Sequence, residues 1–182
     1  MTQSFGFCGS RSLSSSFAPV VSGVVASLPA GSPVSVGCAR GADELVRLAC
    51  PSARVFAVAS GDFGLVGPAA FARRSASMVR SLPPASWFVG FVASPCPANL
   101  VPSRYWVGGR PRSGSWSALA FAAGRPLSVA VVWCGADELV LPAWPSGWAP
   151  CGAWVPVSVA PWSGVALPCV LWVWSPATGL FD

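Results

Sequence analysis

The chain has no histidine and no lysine. Without histidine there is no Ser-His-Asp triad, no imidazole general base and no histidine-ligated metal. Without lysine there is no P-loop lysine, no Schiff base and no Ser-Lys pair. Charge is also scarce. Only 9% of the 182 residues are charged, against roughly 25% in an average soluble domain. Acid–base chemistry would fall to Asp43, Glu44, Asp62, Asp137, Glu138, Tyr105 or a cysteine.

The seven cysteines form no CxxC pair, which argues against a zinc site. Their number is odd and no basic-start signal segment is recognisable, so a disulfide scaffold is a poor reading. They are expected to be buried thiols in a reducing cytoplasm, with neither metal nor cofactor.

What is present is apolar. Hydrophobic residues make up 53% of the chain, and the mean hydropathy is +0.60. The length is enough for one domain with a real core. The net charge of +5 is unevenly placed. All eleven basic residues are arginines between Arg11 and Arg125, whereas residues 126–182 carry three acids and no base. The first part favours an anionic partner and the tail does not.

Residues 1–134 alternate in type. Strands are expected at Ser4–Cys8, Pro33–Gly37, Arg54–Ala59, Trp87–Ala93 and Leu127–Trp133. Between them lie helical patterns. The first carries Phe17, Val20, Val21, Val24 and Leu28 on one stripe; the others span Gly41–Cys50, Gly67–Leu82 and Ser115–Ala123. Phe71, Met78 and Leu82 share one side of the third. Strands apolar on both faces, separated by helices, predict an α/β fold with a parallel sheet covered on both sides. Ligands of such sheets bind at the carboxyl ends of the strands.

Residues 135–182 differ. They hold six tryptophans and seven prolines. The prolines come too often for a membrane-spanning helix. Short strands at Trp154–Val159 and Val165–Trp174 fit better, so a β-leaning extension is expected. It would pack on the domain or on a partner subunit, the latter making a homo-oligomer.

Three strand-to-helix loops share one chemistry. They are Gly9-Ser10-Arg11, Gly37-Cys38-Ala39-Arg40-Gly41-Ala42-Asp43, and the stretch from Gly108 through Arg110 and Arg112 to Ser113-Gly114-Ser115. Glycine permits close backbone approach, helix-start N–H groups favour phosphate, and arginine binds it in bidentate fashion. Together they point to a phosphate-bearing ligand.

The motifs "FCGSRSLS", "VGCARGADELVRLA", "GPAAFARRSASMV" and "SGSWSALAFAAGRPLSV" resemble the SLOG superfamily of Rossmann-like nucleotide-binding proteins, over about residues 4–133. The likeness is to its short stand-alone branch, with GSR near the start and GGARGAD after the second strand. The resemblance implies a nucleotide or nucleotide-derived ligand, bound for sensing or sequestration. Gly9, Ser10 and Arg11 would then meet a phosphate, and Gly37, Ala39, Arg40, Gly41 and Asp43 would form a second wall. Arg74 and Met78 match the family's R-N-x-x-M, with Ser75 in place of asparagine. Gly114 and Ser115 stand where the family has G-G-x-G-T.

The phosphoribohydrolases of a related branch place a glutamate just after that motif. Here Trp116, Ser117, Ala118 and Leu119 follow, none of them acidic. N-glycoside hydrolysis would therefore fall to Asp43 or Glu44. Both also suit a helix's first turn, and Asp43 can pair with Arg47 one turn on. Binding without hydrolysis is the preferred expectation, and the hydrolase is the alternative. A second alternative is single-stranded nucleic acid, met by Arg104, Tyr105, Trp106, Arg110 and Arg112 in a long loop. The stretch GADELV recurs at Gly135–Val140, where Pro142 leaves room for one turn and no arginine is near. It reads as an echo.

Overall fold

The structure is a computed structural model that describes residues 2–64, 67–106, 113–135, 148, 151–159 and 166–176. Five strands alternate with helices: β1 (Phe5–Gly9), α1 (Ala18–Ala26), β2 (Val34–Gly37), α2 (Ala42–Ala49), β3 (Arg54–Phe56), α3 (Gly67–Ser81), β4 (Trp87–Val92), α4 (Gly114–Ala123) and β5 (Ser128–Trp133). Two strands follow, β6 (Gly152–Val159) and β7 (Ala166–Pro176). All seven form one sheet in the order β3-β2-β1-β4-β5-β7-β6. The first five are parallel, and β7 pairs antiparallel with both β5 and β6.

Burial on both faces explains the unbroken apolar runs of the central strands. Phe5, Phe7, Val89, Phe91, Ala130 and Val132 face α1 and α2, where Val21, Val24, Ala42 and Val46 meet them. Cys8, Phe88, Val92, Val129 and Val131 face the other layer, built from Met78 and Val79 of α3 and nearly all of α4. The helix α4 is buried along Trp116–Ala123. A helix apolar all round must be covered on every side. Part of its cover is aromatic: Trp116 meets Trp148 and Trp154 edge-on, with ring centroids 6.3 and 6.4 Å apart.

Several expected elements are adjusted. The third strand stops at Phe56, and Val58–Ser60 form a 3-10 turn instead. The backbone N–H of Val58 is drawn to the Cys38 sulfur, 3.3 Å away, which takes the chain off the sheet line. The first helix is preceded by a 3-10 turn over Ser15–Phe17, with Ser14 Oγ accepting the Ser16 N–H. Cysteine burial is also mixed: Cys8, Cys96 and Cys134 are buried, but Cys38, Cys50 and Cys151 are partly exposed. Among the described residues no helix is long and apolar enough to cross a membrane. The second GADELV, apart from Gly135, lies outside the described residues.

Candidate functional site

From β1 the chain runs outward to β2 and β3, then returns across β1 to β4 and β5. That reversal leaves a crevice beyond the carboxyl ends of β1 and β4. An open cleft of about 1050 Å³ lies there. Its walls come from the loop after β1 (Gly9 to Ser12), Ala39 and Asp43, the α3 face from Pro68 to Arg80, and the start of α4.

Local chemistry fixes each wall. The loop after β1 is tied to β4 by Ser10, whose N–H donates to Phe91 O at 2.8 Å and whose Oγ accepts the Ala93 N–H at 3.0 Å. Ser10 O in turn accepts the Ala42 N–H, at 3.1 Å, so the loop after β1 is stitched to the start of α2. Gly41 makes that approach feasible. Its φ is +71°, and a Cβ there would overlap Ser10 O and the Arg11 backbone. At the fourth strand–helix junction, Ser113 caps α4 by accepting the Trp116 N–H. The first N–H groups of a helix have no acceptor within it, so Gly114 and Ser115 present donors at the cleft.

Beneath the loop after β2 lies a buried ion pair. Arg74 Nη1 and Asp43 Oδ2 are 3.0 Å apart, and both side chains are nearly closed to solvent. The same Oδ2 accepts the Ala39 N–H at 3.2 Å. Gly37 packs flat against the pair, since any Cβ there would overlap Arg74 and Asp43. The expected partner Arg47 does not reach Asp43. Its Nη1 donates to Gly37 O at 2.6 Å and to Ala39 O at 3.1 Å, pinning the loop from the other side.

The structure thus brings Gly9, Ser10, Arg11, Ala39, Asp43, Arg74, Gly114 and Ser115 to one cleft. Gly37 and Gly41 lie behind its wall as packing positions. Arg40 and Glu44 are exposed and do not line it. Arg110 and Arg112 lie outside the described residues, whereas Trp106 of the same loop lines the cleft.

Sequence reasoning missed several wall residues. Phe71, placed on a core stripe by its spacing, is half-buried in the cleft wall beneath the Arg11 guanidinium, whose Cζ is 4.4 Å from the ring centroid. Arg73 and Arg80 line the cleft as well. Their signal was present in the basic run along α3, but helical spacing alone does not say which face is covered. Cys8, on the floor, is no nucleophile. Burial, and then the Asp43 charge, push its thiol well above the ordinary range, with Arg74 opposing.

Comparisons with protein-family models, curated proteins and solved structures returned no match for this chain.

Proposed function

We propose that the protein binds a nucleotide or nucleotide-derived ligand in this cleft and acts as a sensor or sequestering module. One observation carries the reading. The Gly-Ser-Arg loop after β1, the Ala39–Asp43 turn and the capped start of α4 converge on a single cleft that also carries Arg11, Arg73, Arg74 and Arg80. Among the described residues Asp43 is its one acidic lining residue, and it is paired with Arg74. The wall is therefore strongly cationic and rich in backbone donors, the combination that holds phosphate. The β3-β2-β1-β4-β5 order of the parallel strands matches the first five positions of the doubly wound dinucleotide-binding sheet, and the cleft is at the switch point between β1 and β4. These features support a Rossmann-like, SLOG-like reading alongside the motif resemblance.

Binding is preferred over N-glycoside hydrolysis. A general base needs a free carboxylate at the reacting atom. Asp43 Oδ2 already serves Arg74 and Ala39, and Glu44 is exposed outside the cleft.

A thermal-shift screen with mononucleotides, dinucleotides, cyclic nucleotides and ADP-ribose species tests the reading. One class should raise the unfolding temperature in wild type and fail to do so in Arg11→Ala. No shift with any class would sink it. Release of free base over time would favour the hydrolase.

A further inference from the structure

One end of the cleft lies away from the strand-end loops. Arg80, in the last turn of α3, and Trp106 both line it. They converge on one buried ring behind the wall. Arg80 Cζ is 5.3 Å from the Phe121 centroid, and Trp106 meets the same ring edge-on, centroids 5.7 Å apart. A guanidinium held over a ring keeps N–H donors in its own plane. Among the described residues no carboxylate or carbonyl accepts those of Arg80. A half-buried aromatic side chain and an unclaimed donor fork therefore stand side by side in the wall.

That pairing suits one base better than the others. Adenine sets a donor beside an acceptor, and asparagine or glutamine matches both. The chain has one of each, Asn99 and Gln3, and neither lines the cleft. Asp43, the acidic lining residue among those described, is committed to Arg74 and Ala39. Guanine instead sets two acceptors, O6 and N7, side by side, and an arginine fork meets both at once.

The α3 wall between this end and the mouth carries Ala72 and Ala76, which leave room for an extended ligand. Phe71, beneath Arg11 at the mouth, and Arg80 are nine residues apart on α3, which at the rise of an α-helix is about 14 Å. Base, sugar and phosphate chain in a row cover such a span, whereas phosphates alone do not. From this, and resting on the nucleotide reading above, we infer that the ligand is a guanine nucleoside polyphosphate. Its phosphates lie at the end formed by Arg11 and the start of α4. Its base lies against Trp106, with Arg80 donating to O6 and N7. Arg80 is then a specificity-determining residue.

The experiment is an equilibrium titration of the full chain at fixed salt with GTP, ATP and UTP, which carry the same phosphates and differ in the base. GTP should bind about tenfold or more tighter than either of the others. Arg80→Lys keeps the charge but not the fork, so the ratio of GTP to ATP affinity should fall to near one. Trp106→Ala should weaken GTP binding about tenfold through lost stacking. The unfolding midpoint of each variant shows that it is folded. ATP or UTP binding as tightly as GTP, a preference that survives Arg80→Lys, or full affinity in Trp106→Ala overturns the guanine subsite while the nucleotide reading stands. No binding of any of the three overturns both.

Discussion

Arg74 Nη1 lies 3.0 Å from Asp43 Oδ2, joining two residues 31 positions apart in the chain and nearly closed to solvent. The pair ties α3 to the start of α2 and supports the turn at Ala39. Arg74 Nε has no partner among the described residues, so the guanidinium depends heavily on Asp43. Removing one member of a buried pair strands the other charge. Asp43→Ala is therefore expected to cost about 3–5 kcal/mol of stability, while replacing both residues by apolar ones of similar volume should cost much less. Urea unfolding of the two single variants and the double variant measures the coupling.

Gly31 and Gly41 offer a matched comparison. Both have positive φ, +75° and +71°, but a Cβ at Gly31 meets open space and one at Gly41 overlaps Ser10 O and the Arg11 backbone. Gly31→Ala should cost about 1–3 kcal/mol from backbone strain alone. Gly41→Ala should cost clearly more, because the loop after β1 must move as well. Denaturant midpoints of the two variants, measured side by side, decide it. Equal losses would mean that the two loops are not held against each other.

Alkaline pH should destabilise the fold. Burial pushes the Cys96 thiol from an ordinary 9.0 up to about 12, with the polar edge of the Trp148 indole opposing. Cys8 is raised in the same direction, also chiefly by burial. These groups stay neutral in the folded state over a range where the unfolded chain ionises them. Their contribution is complete below pH 9, declines from there, and is lost as the pH rises through the folded values. With no lysine and one tyrosine in the chain, thiols should dominate this window. Unfolding temperatures from pH 8 to 11 should fall, and fall less steeply in Cys96→Ala. Equal slopes would contradict the assignment.

The strands were legible because burial on both faces writes itself as continuous apolar runs, as in Trp87–Val92 and Ser128–Trp133. The glycines of the loops were legible because tight turns need them. The end of β3 was not, because Ala57–Ala59 continues the apolar pattern, while a bond to the distant Cys38 sulfur and the local turn bonds of Ser60 and Gly61 take the chain away. The partner of Asp43 was not legible either. Spacing along α2 favours Arg47, whereas Arg47 is claimed by two loop carbonyls and the partner comes from α3. Phe71 shows the same limit: helical spacing marks a face, and packing decides whether that face meets core or cleft.

The central claim is that the cleft beyond β1 and β4 is the ligand site. The direct measurement is calorimetric titration of the best nucleotide from the thermal screen into wild type, Arg11→Ala and Arg40→Ala. Arg11 lies in the cleft wall and Arg40 is exposed outside it. Loss of a charged phosphate contact predicts about 10–100-fold weaker binding for Arg11→Ala, with Arg40→Ala unchanged. The reverse order, with Arg40→Ala impaired and Arg11→Ala unaffected, would place the ligand elsewhere and contradict the account.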